Sequence, residues 1–228
     1  MNATLAAFFS RLDWPEIGNA SLDTLLMLGG SLSATALLGL PLGVLLFITS
    51  PHQLLAKPGF YRTLSLIVNV LRSLPFIILL IVMIPVTEIL VGTSIGVAGS
   101  IPPLVVGATP FFARLVETAL REVDRGLIEA GQSMGASPMQ IILGALLPEA
   151  RPGILAGLTV TAIALVAYIA MAGAVGAGGL GDLAIRYGYH RYQYDVMAVT
   201  VVLLILLVQV LQWMGDYLVM RFTHRQGL

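Results

Sequence analysis

Charged residues are absent from long stretches of this chain. Uncharged runs extend from Thr24 to Ala56, Ser73 to Thr87, Ile89 to Ala113, Pro152 to Gly181 and Val196 to Gly215. A helix crosses a hydrocarbon core about 30 Å thick with about 20 mostly apolar residues, and it must pair its own backbone groups because lipid offers no partners. The run Ser73–Thr87 is short by itself. The apolar stretch Leu64–Val70 precedes it, with Arg72 near enough to one end to snorkel or face protein. The pattern predicts an all-α integral membrane protein, residues 1–228 forming a single transmembrane domain, with five spans at about 20–50, 63–85, 101–121, 152–177 and 196–220. Val91–Ser100, rich in Gly, Ser and Thr and without a basic residue, reads as a short external loop. Ahead of the first span, Leu5–Phe9 is followed by Arg11, Asp13, Pro15 and Glu16, the reverse of a cleavable signal's order. That segment is expected to be a short interfacial helix or an unstructured arm.

Composition points the same way. Of 228 residues, 57% are apolar and 11% charged, against about 25% charged in soluble domains, and mean hydropathy is +0.93. A lipid bilayer is therefore the expected solvent for most of the surface. Twelve basic and twelve acidic residues balance, so the basic excess of a nucleic-acid binder is missing. With no cysteine, a disulfide framework, a thiolate metal site and a cysteine nucleophile are all excluded. The basic residues also set orientation, because cytoplasmic connections hold an excess of them. Lys57, Arg62, Arg72, Arg114, Arg121, Arg125, Arg151, Arg221 and Arg225 fall on one side of the alternating spans, and Arg11, Arg186 and Arg191 on the other. This predicts the N-terminus outside and the C-terminus in the cytoplasm.

Prolines 41, 75, 85, 102, 103 and 110 lie within or at the ends of the apolar runs. Each removes a backbone donor, and in lipid such kinks persist only where other helices or a water-lined cavity take up the freed carbonyls. Gly39 with Gly43, and Gly153 with Gly157, have the four-residue spacing that lets helix backbones approach, within the chain or across a dimer seam. The run AGAVGAGGLG, residues 172–181, spells GxGxxG, but no strand precedes it. Close helix crossing or a hinge at the outer end of the fourth span fits better. Met171 enters the same region, as core filler or as a gate-lining side chain.

Catalytic signals are weak. Gly92–Gly96 spells GxSxG, which would make Ser94 the nucleophile of an intramembrane serine hydrolase. The required strand-turn-helix is missing, and of His52, His190 and His224 only His190 falls on the same predicted side. No zinc or nucleotide-binding motif occurs, and no acid is expected deep within a span, which leaves a proton-coupled pump without support. No catalytic residue, metal or cofactor is assigned. Active transport would need energy from another subunit, whereas a passive channel would need none.

Between Arg114 and Arg151 charge clusters, with Glu117, Arg121, Glu122, Asp124, Arg125, Glu129 and Glu149. Apolar positions such as Leu127, Ile128, Met134, Met139, Ile141 and Ile142 are interleaved with small residues. The pattern predicts two short amphipathic helices, the second capped by Ser137 with Pro138 in its first turn, as a cytoplasmic segment at about 123–148. Small residues there let another protein approach closely. A solvated loop with a lipid-surface helix has the same periodicity.

Glu129-Ala130-Gly131-x3-Gly135-x9-Ala145-x-Leu147-Pro148 resembles the EAA signature of ABC importer permeases, EAA-x3-G-x9-I-x-LP, with Gly131 at the third alanine and Ala145 at the isoleucine. The stretches YRTLSLIVNVLRSLPFIILL, MGASPMQIILGALLPEA and GAVGAGGLG are similar to the bacterial methionine importer permeases, a likeness running from about Leu38 onward. The resemblance implies the five-helix core of a type I ABC importer permease in the bacterial inner membrane. It also implies a homodimer that sits on two cytoplasmic ATPase subunits and receives methionine from an external binding protein. Another amino acid or small solute stays open as cargo, since the EAA segment reports coupling alone. By motif position Glu129, Ala130, Gly131, Ser133, Met134, Gly135 and Ala136 would lie at the ATPase contact, Leu147 and Pro148 would end the segment, and Met171 would lie near the gate.

Overall fold

The computed structural model describes residues 12–223, so the expected N-terminal arm at Leu5–Phe9, Arg11, His224 and Arg225 lie outside the described residues. Every regular element among the described residues is helical. In chain order they are α1 (Trp14–Thr49), α2 (Pro58–Ser73), α3 (Phe76–Val82), α4 (Ile84–Val91), α5 (Gly96–Arg121), α6 (Arg125–Ser133), α7 (Pro138–Ile141), α8 (Leu147–Glu149), α9 (Arg151–Gly173), α10 (Gly179–Leu183) and α11 (Tyr194–Thr223). Wider π turns follow α7 at Ile142–Leu146 and α10 at Ala184–Tyr189. By length and composition, α1, α5, α9 and α11 are each able to cross a membrane, and the pair α2 and α3 makes a fifth if counted as one span.

That pair departs from the unbroken second span expected at about 63–85. The helix stops at Ser73, because Pro75 has no N–H to donate and its ring disfavours the helical conformation at Leu74. Leu74 is extended accordingly, at φ −75°, ψ 128°. The third span also starts earlier than Ile101, at Gly96. Of the Gly- and Ser-rich stretch that reads as a loop, residues 92–95 are non-helical and residues 96–100 are helical, with Ser100 Oγ donating back to the Gly96 carbonyl at 2.9 Å. Where water does not compete, closing backbone hydrogen bonds outweighs poor helix propensity.

The chain divides into two compact units. Among the described residues, unit one comprises 12–33, Pro75–Val105 and Ala162–Val210. Leu12, Ile17, Ala20, Leu180, Leu183 and Val196 form its buried cluster, and Phe76 stacks on Tyr168 with ring centroids 4.6 Å apart. The glycine-rich run after α9 doubles the chain back. The Gly96 N–H donates to the Gly176 carbonyl at 2.9 Å, and the Leu180 N–H donates to the Thr24 hydroxyl at 2.9 Å. A β-carbon on Gly181 would lie 2.5 Å from the Ala170 carbonyl oxygen, so the close crossing is what this composition serves. On the same unit Arg186 bridges Asp182 (2.9 Å) and Glu16 (3.2 Å). Partial burial works against its charge, but the two carboxylates outweigh it and hold the guanidinium above its usual pKa.

Among the described residues, unit two comprises Ala34–Leu74, Val106–Thr161 and 211–223. Its centre is α5, gripped from two sides by the paired glycines. β-Carbons on Gly39 and Gly43 would lie 2.8 Å from the Phe112 ring and 2.6 Å from the Ala113 carbonyl oxygen, and those on Gly153 and Gly157 2.9 Å from Ala119 and 3.0 Å from Leu115. Within one chain, then, both glycine pairs are occupied by close helix contact. Phe47, Phe112, Val116, Leu120, Ile128, Ile141 and Leu146 are among the residues of the buried cluster that results.

Gly43→Ala is expected to destabilise the purified protein by about 1–3 kcal/mol through overpacking. Gly29→Ala, whose β-carbon meets nothing within 4 Å, is expected to be neutral or slightly stabilising. Thermal unfolding in one detergent, followed by tryptophan fluorescence, tests the pair; equal midpoints for the two variants would contradict the packing described.

Candidate functional site

The segment leaving α5 folds into a helical knuckle whose every turn has a local cause. Asp124 caps α6, its Oδ1 accepting the Gly126 N–H at 2.5 Å. The helix ends in a Schellman turn: the Ala136 N–H donates to the Gly131 carbonyl at 3.0 Å and the Gly135 N–H to the Gln132 carbonyl at 2.9 Å. Gly135 sits at φ +76°, in the left-handed region that glycine occupies without penalty. Ser137 then caps α7 in a reciprocal box: its Oγ accepts the Gln140 N–H (3.4 Å) while its own N–H donates to Gln140 Oε1 (2.8 Å). The cap and Pro138 lie where the sequence puts them. The second helix, however, does not stop. It continues through the π turn, where the Leu147 N–H reaches the Ile142 carbonyl five residues back. Pro148 follows at once, and the wider turn accommodates its missing donor.

Ile128 on α6 and Ile141 on α7 are buried in the same cluster as Phe112, Val116 and Leu120 of α5. The knuckle is therefore fixed to α5 by its apolar face. A β-carbon on Gly131 would lie 3.0 Å from Ile141 Cγ1, so α6 and α7 cross closely there. The outer face carries Glu129, Ala130, Ser133, Met134 and Gly135, all exposed, with Gly131 and Ala136 half-buried. Met134 is 81% exposed and Met139 62%, and Leu143 and Leu127 are exposed beside them in sequence; apolar side chains standing this far out mark a surface that meets something other than water. Leu147 and Pro148 are half-buried, and Leu147 packs against the core cluster, so these two belong to the rising helix more than to the outer face. Met171 is 45% exposed on α9 and belongs to unit one.

Sequence reasoning missed one group. The charge pattern places Glu117 among the charges of the cytoplasmic connection, whereas in the structure it lies near the C-terminal end of α5 with 3% of its surface exposed. Its Oε2 accepts from Arg114 at 2.5 Å, and its Oε1 from Arg121 at 2.6 Å and from the Tyr61 hydroxyl at 3.2 Å. Arg114 in turn donates to the Ser65 hydroxyl, the Ser65 carbonyl (3.1 Å) and Asn69 Oδ1 (3.1 Å). Arg72 lies 5.9 Å from the Phe111 ring centre. Along α2 the partners run from Tyr61, with Arg121 and Glu117, through Ser65 and Asn69, both with Arg114, to Arg72, with Phe111, an antiparallel register. The signal was present as two polar stripes at helical spacing.

Ser94 is half-buried and donates to Glu88 Oε1 at 3.1 Å. Among the described residues no histidine is hydrogen-bonded to it, and no strand carries it, so the arrangement of a serine hydrolase is not formed.

Residues 39–224 match the family described as binding-protein-dependent transport system inner membrane component. The chain belongs to that family. The permease is 52% identical, over 97% of its length and 98% of the relative's, to a probable D-methionine transport system permease protein of Vibrio cholerae. It is 58% identical over 57% of its length and 59% of the relative's to the D-methionine transport system permease protein of Escherichia coli. Among solved structures, a chain of the MetNI methionine ABC transporter in inward-facing conformations aligns with a TM-score of 0.91 at 50% identity, covering 92% of the permease and 99% of that chain. An all-helical inner-membrane ABC permease subunit is thereby established.

Gly135→Val is expected to strain the Schellman turn by about 1–2 kcal/mol, because a β-branched residue is forced to positive φ, whereas Gly135→Asn is expected to cost less. Amide hydrogen exchange across residues 125–148 measures it: faster exchange in the valine variant and near-native exchange in the asparagine variant are expected. Identical exchange in both would count against the turn.

Proposed function

We propose that this permease is the membrane subunit of an ATP-driven methionine importer. It works as a homodimer on two cytoplasmic ATPase subunits and takes methionine from an external binding protein. The knuckle from Asp124 to Ala150 is the element through which the ATPases act, with Glu129, Ala130, Gly131, Ser133, Met134, Gly135 and Ala136 at the contact. The basic residues flanking it favour the cytoplasmic side. Methionine as cargo is supported by the transport systems to which its relatives belong. The coupling role is carried by one observation: the knuckle is fixed to α5 by Ile128 and Ile141 while Met134 and Met139 stand outward. A rigid attachment on one face and an apolar outer face suit an element that receives a push and passes it on.

No group in this reading hydrolyses a nucleotide; the ATPases supply the energy. Their closure on ATP would displace the knuckle, and α5 would follow because the two share one core. Alternating access then arises as a shift between two packed arrangements, biased by the nucleotide state of the partner. Met171, exposed on α9 beside the doubled-back glycine run, is the candidate gate residue.

Two measurements test this. In vesicles holding the permease, its ATPase and its binding protein, labelled methionine is expected to accumulate only with ATP, with unlabelled methionine competing and other amino acids not; accumulation that other amino acids suppress equally would overturn the cargo. Met134→Glu with Met139→Glu is expected to weaken ATPase co-purification at least about tenfold, by removing apolar anchors from the contact, while the permease dimer stays intact. Undiminished ATPase recovery would remove the knuckle from the interface.

A further inference from the structure

We infer that Glu117 is a positioning residue for transport, the pin that makes α2 move with the coupling knuckle. The inference rests on the permease reading above and assigns the relay within it. Glu117 lies on α5, and α5 continues at its C-terminal end directly into Asp124 and the knuckle. It is buried, yet its carboxylate binds two arginines of its own helix and the hydroxyl of Tyr61 on α2. Arg114, oriented by that carboxylate, reaches Ser65 and Asn69 of α2. One acidic group therefore organises every α2–α5 polar contact from Tyr61 to Asn69.

Buried apolar packing between these helices centres on Val68 of α2, which packs with Ala113 of α5 and Leu46 of α1, with Tyr61 and Leu64 at the margin. Apolar packing is not directional and tolerates sliding, whereas charge-assisted bonds from a planar guanidinium hold one register. A slip of one helical turn, about 5.4 Å, would move every donor away from its acceptor. A buried ion pair adds little net stability, so in this cluster its role is to fix one arrangement. The cluster is thus built to prevent α2 from sliding along α5 when α5 is driven from below, so that the stroke reaches the end of α2 at Leu74.

The test uses the complete transporter of permease, ATPase and binding protein in vesicles, measuring methionine uptake and ATP hydrolysis together. Glu117→Gln is expected to keep ATP hydrolysis within about twofold of wild type while uptake per ATP falls about tenfold, the size of a typical coupling energy. Glu117→Asp, which keeps the charge, is expected to restore part of the ratio. The triple variant Tyr61→Phe, Ser65→Ala, Asn69→Leu removes the α2 side-chain partners, keeping only the Ser65 carbonyl as an acceptor, and leaves both arginine pairs on α5 intact. It is expected to uncouple in the same way, which a role confined to the stability of α5 would not produce. If uptake per ATP is unchanged in the triple variant, or if Glu117→Gln lowers hydrolysis and uptake in equal proportion, the inference is overturned. If Glu117→Gln does not assemble, the triple variant alone decides. A wild-type complex that hydrolyses ATP without methionine uptake would instead overturn the reading beneath it.

Discussion

The requirement that every backbone N–H and C=O find a partner inside the chain governs this structure. In hydrocarbon an unpaired peptide group costs several kcal/mol, so every regular element among the described residues is helical, and three departures from helix show what replaces it. Pro75 breaks the helix where Leu74 turns extended, and Gly135 turns it where a Schellman pair closes the end. Pro148 is accommodated by a π turn. Each departure sits at the border of an element that the proposed mechanism sets in motion.

Close packing of backbones is the second constraint. Apolar side chains gain little by leaving lipid for a protein interior, so helices associate through fit. α5 shows the consequence, with Gly39 and Gly43 on one side and Gly153 and Gly157 on another allowing contact that a single methyl would obstruct. The knuckle inherits this rigidity through Ile128 and Ile141, which share the core of α5. A force applied to its outer face has little slack to absorb it.

The polar cluster around Glu117 supplies what apolar packing does not. Its register-specific bonds join α2 and α5, and they do so from side chains that a reading of charge along the chain does not bring together. In the other unit Arg186, Asp182 and Glu16 form a partly exposed network in which the carboxylates reinforce the cation. The difference lies in what each helix face meets.

Much of the protein was legible from residue order alone. Uncharged runs announce membrane helices because their length and composition answer to the thickness of the bilayer, a one-dimensional criterion. Ser137 and Pro138 announce a helix start for a reason equally local, and Glu129-Ala130-Gly131 with Gly135 marks the knuckle by its spacing. Tertiary structure decided what depends on neighbours distant in sequence. Leu74 and Pro75 become a break instead of a mild kink, Gly96 to Ser100 are helical against their propensity, and the glycine pairs meet α5 within the chain. Glu117 is buried because Tyr61 stands 56 positions away in sequence yet within hydrogen-bonding reach. No local pattern encodes that distance; it exists only once α2 and α5 lie antiparallel and in register.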